Sequence, residues 1–154
     1  MSKKQKQIMP HSSSALKKKI LVIDGQGGKL GRLVIEQLKA LALGYEIGAV
    51  GTNSIATAAM LKAGADWGAT GENSVVISCR NADIIIGPMG ILVADSLHGE
   101  VTAAMSTAVG ACQARKVLIP ISRCRVHVAG VAALNTAELV AQAISYLQSI
   151  YKDD

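Results

Sequence analysis

Gly25, Gln26, Gly27, Gly28, Lys29, Leu30 and Gly31 lie directly between a short apolar run and an amphipathic one. A glycine-rich turn in that position exposes backbone N–H groups, and the helix that follows aims its positive end at an anion. Missing Cβ atoms leave room for that anion to come close. In this reading Gly25 makes the turn, Gly28 allows the approach, and Gly31 lets the helix pack on the sheet. The chemistry is phosphate binding. The competing reading is that the glycines simply permit a tight strand-to-helix connection.

The spacing is G-x-x-G-x-x-G, with Leu30 where the commoner dinucleotide fingerprint has its last glycine. It resembles the first turn of extended short-chain dehydrogenases and related NADP-binding domains, which implies NADP or NAD as cofactor. Two features depart from that pattern. Asp24 puts a negative charge immediately before the first glycine. The end of the second strand, Gly51-Thr52-Asn53-Ser54, has neither an acid for a ribose 2′-hydroxyl nor an Arg for a 2′-phosphate. A smaller phosphorylated ligand or nucleotide is therefore the alternative to a dinucleotide.

Other strand ends belong to the same edge of an open α/β sheet. Thr52 and Asn53 offer small polar groups, Gly87, Pro88 and Met89 form a rigid turn, and Arg123 supplies a fork that matches phosphate or carboxylate. No set of acids, bases or nucleophiles has the spacing of a known catalytic machine, so catalytic residues remain unknown and only binding is expected. Asp95, His98 and Glu100 are close in sequence, but an ordinary polar helix end explains them better than a metal. Cys124 and His127 lack the second pair that a zinc site needs. No metal is expected.

These residues need a scaffold. Residues 19–24 read as a strand covered on both faces, and Leu30, Leu33, Val34, Leu38 and Leu41 recur at helical spacing before Gly44. Glu46–Val50 reads as a strand, and Ser54 as the cap of a helix reaching Ala63. From Asp66 to Arg80 two signals compete: Val75, Val76 and Ile77 favour a strand, while the alternation of elements asks for a helix. A strand at Trp67–Thr70 and a helix over 72–81 satisfy the alternation. Further strands are expected at Asp83–Ile86, Val117–Ile121 and, at a sheet edge, Val126–Val131, with a helical stretch from Ile91 to Gln113 interrupted near Gly99. Asn135 and Glu138 then open an amphipathic helix. The fold class is α/β: a single three-layer Rossmann-like domain, with a mostly parallel sheet and helices on both faces.

Composition narrows the partners. The net charge of +5 comes from six lysines among the first 19 residues, without which the rest carries about −1. Residues 1–18 are therefore expected to be a flexible basic arm and 19–152 the folded domain. Phe is absent and only Trp67, Tyr45, Tyr146 and Tyr151 are aromatic, which argues against a nucleic-acid stacking platform. No run is long enough to span a membrane. Cys79, Cys112 and Cys124 read as reduced thiols of a cytoplasmic protein.

Three phrases carry a wider resemblance: IleAspGlyGlnGlyGly at 23–28, AlaGlyAlaAspTrpGlyAlaThrGlyGluAsn at 63–73, and AlaAspIleIleIleGlyProMetGly at 82–90. Over residues 19 to 132 the chain resembles a family of short bacterial proteins known as domain of unknown function 3842. The resemblance implies a Rossmann-like fold in the bacterial cytoplasm and brings no catalytic residues. Two functions stay open. One is a protein binding a nucleotide or dinucleotide of NAD(P) type. The other is a non-enzymatic structural or regulatory protein with no nucleotide, whose Ala-rich helices at 56–63 and 103–114 make it a homo-oligomer.

Overall fold

Ile20, Leu21, Val22 and Ile23 are all buried, as a strand sandwiched between two helical layers requires. They belong to β1 (Lys19–Asp24), the first strand of a computed structural model that describes residues 16–121 and 125–152. Alternate side chains point to opposite faces, so Ile20 and Val22 enter one core cluster while Leu21 and Ile23 enter the other. After β1 come α1 (Lys29–Leu41), β2 (Glu46–Gly51), α2 (Ser54–Lys62), β3 (Trp67–Thr70) and α3 (Glu72–Cys79). The chain continues through β4 (Ile84–Pro88), a 3₁₀ turn (Met89–Leu92), α4 (Ala103–Ala111), β5 (Arg115–Ile119) and α5 (Thr136–Lys152).

All strand pairs are parallel and the order is β3-β2-β1-β4-β5. Leu30, Val34, Ile35 and Leu38 of α1, Met60 of α2 and Val140, Ile144 and Leu147 of α5 cover one face. Val75 and Cys79 of α3 with Met105 and Val109 of α4 cover the other. This is the three-layer Rossmann-like α/β arrangement. The chain winds from β1 out to β3, then returns to place β4 on the other side of β1. The C-terminal ends of β1 and β4 thus flank the point where winding reverses, where open α/β sheets bind ligands. No helix among the described residues is long and apolar enough to cross a membrane.

The helix over 72–81 forms as α3, because β3 and β4 lie on opposite sides of the β1–β2 pair and only a crossover joins them. Asn53, not Ser54, caps α2: its Oδ1 accepts the Ala56 N–H at 2.9 Å. The expected helix from Ile91 reduces to the short α4. Residues 93–102 form turns, in which Asp95, Leu97 and His98 adopt φ of 63°, 54° and 57°, outside the helical range. The expected strand at Val126–Val131 is absent: Arg125 and Gly130 have φ of 51° and 82°, which break an extended run, and Val126 and Val131 remain exposed. Arg123, Cys124 and most of the basic arm lie outside the described residues. The capping box of α5 is present, with Glu138 N–H donating to Asn135 Oδ1 and Asn135 N–H to Glu138 Oε2, both at 2.9 Å.

Candidate functional site

The turn between β1 and α1 is closed by Gly28 N–H donating to the Gly25 carbonyl at 2.9 Å. Asp24, buried at the end of β1, accepts the Gly25 N–H at 2.8 Å and the Gly31 N–H at 2.7 Å. A carboxylate of the chain itself therefore occupies part of the helix N-terminus. Burial raises the Asp24 carboxyl above its ordinary value, the amides of Gly31, Gly25 and Leu30 pull it back, and neighbouring Glu100 adds to the rise.

The three glycines have unequal jobs. A methyl on Gly28 would lie 2.8 Å from Ala56 Cα and 2.9 Å from its carbonyl oxygen, and the residue has φ of 71°. Gly28 is thus required for the backbone turn and for packing α1 against α2. A methyl on Gly31 would meet Met60 Sδ at 2.5 Å, in line with helix packing. One on Gly25 would meet Thr52 Oγ1 at 2.5 Å and Leu97 Cδ1 at 2.8 Å. Gly27 alone of the four faces open space. The amides of Gly27 and Lys29 find no acceptor among the described residues.

Glu100 reaches this turn from the far side of the sheet edge. Its carboxylate accepts the Gln26 N–H at 3.1 and 3.2 Å, the Thr52 hydroxyl at 3.0 Å and a short bond from Asn53 Nδ2. Asn53 Nδ2 also donates to the Gln26 carbonyl at 2.9 Å. Burial alone would raise the Glu100 carboxyl, but the bonds from Asn53, Gln26 and Thr52, with His98 nearby, hold it below the usual carboxylate range. The segment carrying Glu100 is pinned by Asp95 N–H on the Val101 carbonyl at 2.7 Å and by Ser96 Oγ on the Gly90 carbonyl. Three left-handed non-glycine residues cost about 1–3 kcal/mol each, so tertiary bonds hold this turn rather than local preference.

A crevice of ≈ 500 Å³ opens beside the turn, lined by residues 24–30, Leu33, Pro88, Leu97, Ile121 and Thr136. It gathers the whole glycine turn except Gly31, and Pro88. Thr52 and Asn53 stand apart from it, tied to Glu100. Gly87 lies within β4, where a methyl would strike β1, and Met89 opens the 3₁₀ turn; neither lines the crevice. A larger hollow of ≈ 690 Å³ lies at the opposite edge of the sheet. Lys39 is paired there with Asp66 and Trp67 Nε1 with Glu46, and the helix that reaches it is the C-terminal end of α1. Among the described residues no three His, Cys, Asp or Glu side chains are grouped to hold a metal.

Residues 19–152, the entire α/β unit, match the family model described as Domain of unknown function (DUF3842). The chain belongs to that family. No curated protein matches it. For this DUF3842 domain, sequence reasoning missed Glu100 as a partner of the turn. In the sequence it reads, with Asp95 and His98, as part of an ordinary polar helix end. The only available signal was Gly99, which interrupts that segment immediately before it.

Proposed function

We propose that this DUF3842 domain binds a phosphorylated small molecule of the nucleotide class, with one phosphate on the amides of Gly27 and Lys29. The observation that carries this reading is the pair of N–H groups without acceptors at the start of α1, on the wall of a ≈ 500 Å³ crevice at the winding reversal. The Lys29 side chain adds positive charge at the same place. Leu33, Pro88, Leu97 and Ile121 offer apolar walls for the organic part of the ligand, and Thr136 a hydroxyl.

NAD or NADP fits the observed arrangement poorly. A dinucleotide of the usual pose needs the end of β2 for its adenosine ribose, and Glu100 already holds Thr52 and Asn53 there. Its pyrophosphate would also face the carboxylates of Asp24 and Glu100. A monophosphate on the amides of Gly27 and Lys29 needs no place at the end of β2 and brings less negative charge to these carboxylates than a pyrophosphate does. Free thiols at Cys79 and Cys112 agree with a cytoplasmic location.

The direct test is an amide NMR titration with AMP. Shifts concentrated at Gly27, Lys29 and Leu30 are expected. Shifts elsewhere, or none at millimolar AMP, would remove the proposal.

A second reading is homo-oligomerisation without a nucleotide. It is favoured by the outer side of α4, where Ala103, Ala104, Thr107, Gly110 and Ala111 are exposed and none is charged. Such a face lets a second copy approach closely.

A further inference from the structure

Cys79 ends α3 and Cys112 caps the C-terminus of α4, and both line the groove of ≈ 600 Å³ between these helices. The Cys112 thiol donates to the Val109 carbonyl at 3.2 Å, and the Cys79 side chain lies beside it on the wall of the same groove, close enough for the two to interact. Cys79 is 2 % exposed within the core of Val75 and Met105, whereas Cys112 is half-buried and open to the groove. Lys116 Nζ donates to the Cys112 carbonyl, which brings a positive charge beside the two sulfurs. We propose that Cys79 and Cys112 are a redox pair that a hydroperoxide converts into an intramolecular disulfide across the α3–α4 groove.

The two sulfurs have different roles. Burial and the neighbouring Cys112 push the Cys79 thiol up to about 12, so it is a poor first nucleophile. Cys112 is the sulfur that a groove-borne oxidant meets. As the thiolate it attacks one peroxide oxygen, the O–O bond breaks, and the departing oxygen leaves as water or alcohol after taking up a proton. Cys112 becomes a sulfenic acid. Cys79 sulfur then attacks Cys112 sulfur, its proton leaves with the displaced hydroxide as a second water, and the S–S bond forms. Two thiols lose two electrons in total, and the peroxide gains them. The bridge would enclose residues 80–111, the part of the chain that contains β4, the Glu100 turn and α4.

The test uses the full chain carrying Cys124→Ser, so that the third thiol takes no part. Reduced protein is treated with about one equivalent of hydrogen peroxide and analysed by intact mass and by non-reducing tryptic mapping. The expected result is a mass lower by two hydrogens, with tryptic peptides 63–80 and 81–115 joined within one chain and separated again by dithiothreitol. A melting temperature higher by about 5 °C should accompany the bridge, since a closed loop restricts the unfolded chain. With Cys79→Ala added, the reaction should stop at a sulfenic acid on Cys112 that dimedone traps. Oxygen added to Cys112 with the peptides unjoined, bridges only between separate chains, or no change at either cysteine would overturn the proposal. The deciding readouts are masses of the treated chain and its peptides, so they stand whether or not the crevice binds a nucleotide.

Discussion

Glu100 carries a negative charge to the turn where a ligand phosphate is proposed to bind, and three donors hold it there. Removing that charge should favour an anion: Glu100→Gln is expected to tighten AMP binding by roughly tenfold, about 1.4 kcal/mol. The same residue leaves a signature in acid. Its folded-state carboxyl sits below the ordinary 4.5, so its stabilising contribution is present above that value and is lost as pH falls through the folded-state value. Urea unfolding of wild type should therefore lose stability faster below about pH 4.5 than that of Glu100→Gln. Equal pH profiles would contradict the bonding described. Asp24 has the opposite sign: its raised carboxyl contributes below the ordinary 3.8 and that contribution is lost as pH rises. The glycines give a sharper contrast. Gly27→Val enters open space and should keep the fold within ~1 kcal/mol while losing AMP, whereas Gly28→Val meets Ala56 at positive φ and should cost about 3 kcal/mol or more. Denaturant midpoints of the two variants decide this.

Among the elements, those whose burial comes from their own pattern were legible. The apolar run of β1, the helical period of α1 and the paired Asn135 and Glu138 of α5 each appear where the residues put them. Asn135→Ala should lower stability by about 1 kcal/mol, roughly 3 °C in melting temperature, through the lost cap. No change would mean that the α5 cap is redundant with its packing. Elements set by distant partners were not legible. Residues 93–102 look helical because Leu97 and Val101 are spaced as a helix face, yet their left-handed backbone is fixed by Val101, Gly90 and the Glu100 bonds to Gln26 and Thr52. Val126–Val131 alternates like a strand but is broken by positive φ at Arg125 and Gly130.

At the scale of the molecule, strict alternation of strands and helices was enough to foresee a parallel sheet with two helical layers, because every parallel pair needs a crossover. The location of the crevice followed from it, since the glycine turn must lie at the C-terminal end of β1. What alternation could not supply was the content of the site. Glu100 meets Asn53 across 47 residues of sequence, and no local period encodes such a pairing. The uncharged outer side of α4 leads us to expect a dimer by light scattering at micromolar concentration, and Ala104→Glu should release monomers without loss of helix signal. The crevice itself is tested most directly by calorimetric titration of AMP, with inorganic phosphate and NAD as comparisons, into wild type and Gly27→Val. The account predicts that wild type binds AMP with Kd below about 1 mM, equivalent to roughly −4 kcal/mol, more tightly than NAD, and that folded Gly27→Val binds at least about tenfold more weakly. Absence of AMP and phosphate binding by wild type, or equal affinity in folded Gly27→Val, would contradict it.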